Sequence, residues 1–354
     1  MVEIDDWEVD DTEENEEDEP DVITYQINYY PADLTLKGYL DKDKSGQLVI
    51  PPFQRSYVWD QVKASKLIES FLLGLPVPNV FLYKVRNSNK LQVIDGQQRI
   101  VTAIRYFKNE FGENIFRLKN VNKRWEGKTY DQLAESDKFQ LDDTVLRATV
   151  IQQLDPDDDS SMFHIFERLN TGGMNLNGME IRKCVYSGPY FELLEELNSN
   201  TDWRRLIGQP KIDKRLRDTE LLLRVLALSS RWEGYKKPMK RFLNDYFIAA
   251  RKRDFVQQED FIQTSRQAFI ETCSFVSSRL KEKPFHLRGR LNYAALDSIM
   301  VASYLALNNH VENLSERYEL LLSDKEYVTW CTSDTSDERV LLSRIARAIK
   351  TLAG

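Results

Sequence analysis

The stretch that most constrains this chain is Leu91 to Lys108, L-Q-V-I-D-G-Q-Q-R-I-V-T-A-I-R-Y-F-K. Its first four residues alternate, are rich in Leu, Val and Ile, and read as a strand. From Gln98 onward, Ile100, Val101, Ile104 and Phe107 fall at helical spacing. A strand that turns sharply into a helix leaves unpaired N–H groups at the helix start. The helix dipole adds partial positive charge there. Gly96 has no Cβ, so a ligand can approach the backbone. Arg99 adds a fork of donors suited to phosphate. Together these make an anion site, and a nucleotide phosphate is the expected anion. The same residues admit a plainer role, in which Asp95 caps the helix and Arg99 forms a salt bridge.

The 354 residues suffice for one large or two medium domains, and 17 Phe with 16 Tyr can fill a sizeable core. No run of 18 apolar residues occurs, so no transmembrane helix is expected. The acidic start lacks the basic-then-apolar pattern of a signal peptide. Cys184, Cys273 and Cys331 are far apart and odd in number. That argues against a disulfide framework or a Cys-rich zinc site, and for a reducing cytoplasm. His164, His286 and His310 leave little material for histidine chemistry.

The charge is uneven. Glu3 to Asp21 holds 13 acidic residues and no basic one, so removing them from a net charge of −7 leaves +6. Residues 200–300 carry 21 Lys/Arg against 12 Asp/Glu. A basic half of this kind suggests nucleic acid, against the bland alternative of solvated helix faces. Residues 1–21 lack a core pattern and read as a disordered acidic tail.

Along the chain, Val22 to Tyr30 reads as a strand, Leu34 to Leu40 as a short helix and Leu48 to Ile50 as a strand. Asp60 is the expected N-cap of a helix over Gln61–Leu73. Residues 79–85 and 90–94 form a hairpin that delivers the chain to Asp95. Thr144 to Gln152 is a strand, Pro156 opens a helix through Phe163 and Phe166, and another helix starts near Asn177. Beyond Tyr190 the chain reads as helix after helix, including Asp218–Trp232, Phe261–Leu280, Tyr293–Leu307 and Glu338–Leu352, with strand signals nearly absent. The expected organisation is a tail (1–21), an α+β domain (22–190) and an all-helical domain (191–354), the last a candidate for DNA binding.

Three segments each set an Arg beside an amide or a carboxylate. They are Phe53-Gln54-Arg55, Asp95-Gly96-Gln97-Gln98-Arg99, and Phe166 to Gly173. Arg55, Arg99 and Arg168, drawn from separate loops, make a triphosphate clamp. Asp95, Glu167 and Asn170 offer hard oxygens to a divalent metal. The pattern is not a Walker A loop, because no G-K-[ST] follows a Gly-rich run.

With I-P-P-F-Q-R-S-Y-V-W (50–59), V-I-D-G-Q-Q-R (93–99), F-E-R-L-N-T-G-G (166–173) and L-N-G-M-E-I-R (176–182), the chain resembles the N-terminal domain family of GmrSD-type restriction endonucleases. The resemblance spans roughly residues 22–190. It implies a ParB/sulfiredoxin-like fold, followed by a helical companion. It also implies binding and hydrolysis of a nucleoside triphosphate with Mg2+, linked to DNA in defence against phage or foreign DNA. Carried over by motif position, the site candidates are Gln54, Arg55, Asp95, Gly96, Gln97, Gln98, Arg99 and Asn170. Of these, Asp95, Gln97, Gln98 and Arg99 stand where catalysis is expected. Larger relatives often carry a His-Asn-His nuclease motif, and none of the three histidines here sits in such a cluster. Sulfiredoxin chemistry needs a Cys at the turn, where this chain has Gln97 and Gln98.

Three functions therefore compete. One is an NTPase or nucleotide-gated switch acting with DNA. Another is a non-catalytic DNA-binding or adaptor protein. The third is a ParB-like nuclease or the DNA-targeting subunit of a nuclease partner chain. No membrane is expected, and oligomerisation is left open.

The tail generates a first prediction. A flexible tether gives it a high effective concentration near any basic groove, and a mainly electrostatic hold is screened by salt. Deleting residues 2–21 should raise DNA affinity at low salt, with the gain shrinking at high salt in a filter-binding titration. Equal affinity of the two forms at every salt concentration would show a tail that docks nowhere.

Overall fold

The computed structural model describes residues 26–50, 57–86, 88–155, 161, 163, 165, 177–186, 188–251 and 255–354. These fall into two compact units that meet in sequence between Leu176 and Asn177.

In the first unit, alternation along the chain becomes one buried sheet face. Strands β1 (Gln26–Thr35), β2 (Leu48–Val49), β3 (Val80–Lys84) and β4 (Leu91–Asp95) join the sheet, β5 (Glu110–Phe111) and β6 (Asn114–Ile115) pair only with each other, and β7 (Val145–Asp155) completes it. The five-stranded sheet has the order β1-β7-β3-β4-β2. Contacts are antiparallel for β1/β7 and β3/β4, and parallel for β7/β3 and β4/β2. On β7, Leu146, Ala148 and Val150 are buried while Val145 and Arg147 are exposed, the period of two that a half-buried strand requires.

Helices α1 (Leu36–Lys44), α2 (Gln61–Leu72), α3 (Gln97–Lys108) and α4 (Glu135–Asp143) belong to the same unit. Asp60 caps α2 as expected, accepting from Lys63 N at 2.7 Å. The first strand runs further than its sequence suggests, through Pro31 to Thr35. It is an edge strand, where proline's missing donor costs little. Thr35 then caps α1 by accepting from Gly38 N, so that helix begins at Leu36 rather than Leu34.

The second unit opens on α5 (Gly178–Val185), whose capping box is reciprocal: Asn177 Oδ1 accepts from Glu180 N, and Glu180 Oε2 from Asn177 N, both at 2.8 Å. Met179, Tyr186 and Tyr190 are part of this unit's core, so residues 177–186 and 188–190 pack with the helices rather than with the sheet. There follow α6 (Pro189–Asn198), α7 (Thr201–Leu206), α8 (Arg217–Arg231), α9 (Met239–Arg251) and α10 (Phe255–Arg279). The unit is not all-helical. His286–Leu287 (β8) and Arg290–Leu291 (β9) form a small hairpin. Its turn is Arg288-Gly289, both at positive φ, the geometry of a tight two-residue loop. Then come α11 (Tyr293–Asn308), α12 (Leu314–Ser323), α13 (Lys325–Trp330) and α14 (Glu338–Leu352).

Helix α11 is apolar all round and is accordingly buried over Ala294–Ser303. It also carries Asp297, which has no exposure and pairs with Arg224 of α8: Nη2 to Oδ2 at 2.6 Å, Nε to Oδ1 at 3.3 Å. A second buried carboxylate, Asp218, accepts from Arg204 Nη1 at 2.6 Å. Breaking such a pair by removing one partner strands the other charge in the core. Asp297→Ala should lower unfolding free energy by about 3–5 kcal/mol, measured by urea denaturation. A loss below about 1 kcal/mol would mean that water reaches Arg224.

Candidate functional site

Val93 and Ile94 bury β4, and the chain leaves it at Asp95. Gly96 then takes a left-handed conformation, φ 91° and ψ 12°, and is itself the N-cap of α3. A Cβ built there would lie 2.3 Å from Val80 Cγ1 and 2.8 Å from Val80 Cβ. The glycine is therefore demanded twice, by its dihedrals and by close packing on the first residue of β3. The first intrahelical bond runs from Ile100 N to Gly96 O. The N–H groups of Gln98 and Arg99 precede it, and no described residue accepts from them. These are two of the orphan donors that any helix start presents.

Asp95 does not cap the helix, since no side chain caps α3. Its Oδ2 accepts instead from Arg99 Nη2 at 2.7 Å, so the salt bridge of the plainer role is present. Arg99 Nη1 donates to the carbonyls of Asn79, at 2.9 Å, and of Pro78. One guanidinium thus ties the bend before β3 to the end of β4. The Arg99 side chain is 16% exposed and that of Asp95 40%, so the carboxylate is the more open partner. Tyr39 is fully buried and donates to Leu146 O. Burial pushes its phenol far above the ordinary range, with the Arg99 charge acting in the opposite sense.

Gln98 works through its side chain. Its Oε1 accepts from Val58 N at 3.1 Å and Trp59 N at 3.4 Å, holding the residues that lead into α2. Thr102 Oγ1 donates to Gln98 O and shares a 2.7 Å hydrogen bond with Tyr57 Oη. Arg105 lies over the Tyr57 ring, 4.2 Å from its centroid. Burial raises the Tyr57 phenol above its usual range, against the Thr102 bond and the Arg105 charge, which lower it. Tyr57 lies within the 50–59 motif without being among its site candidates, and Thr102 and Arg105 lie outside the motifs. The available signals were the aromatic run into Asp60 and the i+4 spacing of Thr102 from Gln98.

Asp95, Gly96, Gln97, Gln98 and Arg99 thus lie together on one strand–helix turn. Gln54, Arg55, Glu167, Arg168 and Asn170 lie outside the described residues, and so does His164. The strands that lead toward these two segments run differently. β2 is parallel to β4 and so points toward the sheet end that carries Asp95. β7 is parallel to β3, which is antiparallel to β4, so β7 ends at Asp155 on the opposite sheet end. Of the expected metal ligands, Asp95 is the one described, and with Oδ2 bonded to Arg99 its half-exposed carboxylate keeps Oδ1 to offer.

In the helical unit, several expected basic residues already have partners. Lys236 Nζ pairs with Glu338 at 3.1 Å, Arg241 with Asp245 at 3.8 Å, and Arg251 lies over Tyr186. Lys252 and Arg253 lie outside the described residues. Cys273 and Cys331 are buried thiols, and burial pushes both up, Cys331 to about 11, so neither is a reactive thiolate. His286 is held below its usual range by burial and the nearby Lys283 charge.

Residues 36–187 match the family model described as GmrSD restriction endonuclease, N-terminal domain. This is the family to which the D-G-Q-Q-R turn and its companion motifs point. No curated protein matches the chain. Among the described residues, no helix is long and apolar enough to cross a membrane.

The Gly96–Val80 approach yields a direct prediction. Gly96→Ala should destabilise the first unit by roughly 2–5 kcal/mol, combining left-handed strain with overpacking. Urea denaturation followed by tryptophan fluorescence measures this. A loss under about 1 kcal/mol would show that β3 can yield.

Proposed function

We propose that this chain binds and hydrolyses a nucleoside triphosphate with Mg2+ and acts with DNA in a restriction-like defence against phage or foreign DNA, in the cytoplasm. The observation that carries this reading is the β4–Gly96–α3 turn, where two N–H groups without an acceptor among the described residues and the positive end of a helix dipole stand beside Arg99 and a half-exposed carboxylate. The match of residues 36–187 to a restriction-endonuclease domain supports the same reading. The fold proposed for this unit is ParB/sulfiredoxin-like.

In this reading the N–H groups of Gln98 and Arg99 receive phosphate oxygens. Gln54, Arg55, Arg168 and Asn170 complete the nucleotide site, and Gln97 lies in the first helical turn to orient the attacking water. Asp95, with Glu167 and Asn170, offers oxygen ligands to magnesium, whose charge neutralises the phosphates when bound. Gln98 is a positioning residue, because its carboxamide holds Val58 and Trp59. The basic side chains of the helical unit contact DNA phosphates, so binding weakens steeply with salt.

One observation favours a second reading. The Arg99 guanidinium already serves Pro78, Asn79 and Asp95, as in a structural turn. A non-catalytic nucleotide- or DNA-binding adaptor, working with a nuclease partner chain, would need no more. Phosphate release from a panel of nucleotides with magnesium, with and without DNA, separates the two. No release under any condition leaves the adaptor, and plasmid nicking by the purified chain would identify a nuclease.

Arg99 supplies the sharper prediction. If it also contacts phosphate, Arg99→Ala should weaken nucleotide binding by about 1.5–3 kcal/mol, the value of a charged hydrogen bond. Arg99→Lys should recover only part, for want of the fork. Calorimetric titration beside thermal unfolding distinguishes the roles. Lost stability with unchanged nucleotide affinity would assign Arg99 to the turn alone.

A further inference from the structure

The helical unit contains a cavity of about 190 Å³ between α8, α9, α10 and α11. Its lining combines aromatic rings with hydroxyls, some of which bond to no described residue. Tyr246, Phe261, Phe269 and Tyr304 supply the rings. Ser229, Ser265 and Tyr304 supply hydroxyls that make no hydrogen bond to any described residue. Ser265 is only 8% exposed, and its unpaired hydroxyl lies within that accessible part. An accessible hydroxyl without a protein partner is open to a ligand as donor or acceptor. Ser230 and Thr264 are exposed and form the mouth.

Beside this cavity lies a cation. The Arg231 guanidinium sits 4.6 Å from the centroid of the Tyr246 ring. It makes no ion pair or hydrogen bond with any described residue. An arginine that meets, among the described residues, only an aromatic face keeps donors for an incoming anion.

Size decides what kind of ligand fits. Sites that enclose whole drug-sized ligands run to about 300–1,000 Å³. This one is smaller, and suits one flat ring while the rest of the ligand stays outside. Aromatic walls favour a π-face. Hydroxyls can donate or accept, and so meet either kind of group on the edge of a heteroaromatic ring. Arg231, which follows the mouth residue Ser230 and lies over the Tyr246 ring, favours a phosphate attached to that ring through a sugar.

We propose that this cavity takes the base of a single nucleotide, with its 5′-phosphate held by Arg231. The site goes beyond the nucleoside triphosphate site of the first unit and does not depend on it. Because rotatable hydroxyls face the ring, it accepts different bases with little selection. The nucleotide can come free from solution or as an unstacked residue of single-stranded DNA.

The test uses the full chain carrying Arg99→Ala, which weakens the other proposed site. Calorimetry and saturation-transfer NMR would follow binding of the four deoxynucleoside 5′-monophosphates and of a ten-residue oligothymidylate. Ala268→Leu fills the cavity, and Thr264→Trp obstructs its mouth from an exposed position, a change that the fold tolerates more readily. Both should weaken binding at least about tenfold, and Arg231→Gln by roughly tenfold, the value of a charged contact. Tighter binding of the oligonucleotide than of the monophosphates identifies a strand as the source, and the reverse order a free nucleotide. Absence of binding by both probes would overturn the proposal. So would binding undiminished in folded Thr264→Trp, or displacement by toluene as readily as by a nucleotide. A chain without NTPase activity that still binds through this cavity would separate this inference from the proposed function.

Discussion

The first unit depends on the missing Cβ at Gly96. Strand β4 ends beside the start of β3, and the backbone must reverse into α3 within one residue. A side chain there would enter the space of Val80, which is itself buried without exposure in the core of the sheet. With no side chain, β4 and β3 stay paired up to Phe81 and Asp95, and α3 begins directly over the sheet end. Ile100, Ala103 and Ile104 then enter the same core as Val93 and Val80. The donors at the helix start are a by-product of this tight reversal, because a helix that begins at a glycine has no side chain to cap it.

Arg99 strengthens the same turn from outside. It collects two carbonyls from the bend before β3 and the Asp95 carboxylate. A turn held this way is preorganised, so an anion arriving at α3 meets donors already in place and loses little entropy to their ordering. Gln98 extends the frame by fixing Val58 and Trp59, so the entry to α2 and the start of α3 are held by one side chain. Rigidity at the turn serves a structural role and an anion site equally well, and for that reason the fold alone is compatible with both readings.

The helical unit solves a different problem. Its central helix α11 is buried yet contains Asp297, and α8 contains Arg224. Two opposite charges without water must lie close, and the 2.6 Å contact fixes how α8 and α11 face each other. Between α8 and α10 the packing instead leaves a hydroxyl-lined cavity. The aromatic residues around it are themselves engaged, Tyr246 with Tyr190 and Phe261 with Tyr190. Tyr190 thus packs against two of the rings that wall the cavity.

Much of this architecture could be read from the residues. The hairpin before Asp95, the Asp60 cap, the helix of 338–352 and the switch of period at Gly96 all follow from local rules, because hydrophobic spacing and capping chemistry act within a few residues. The β8–β9 hairpin did not, since its strands are too short to show alternation and only Arg288-Gly289 marks the turn. Nor did the extension of β1 to Thr35, which comes from ladder pairing with the distant β7. At the site, sequence placed Asp95 to Arg99 on one strand–helix turn, and it offered two roles for Asp95. Only tertiary structure decided that Asp95 meets Arg99 rather than capping α3, that Arg99 reaches Pro78 and Asn79, and that Gly96 is forced by Val80. Apart from the Asp95–Arg99 pair, whose i,i+4 spacing allowed the contact without choosing it over a cap, these are contacts between residues distant along the chain, whose energies depend on distances that no local pattern encodes.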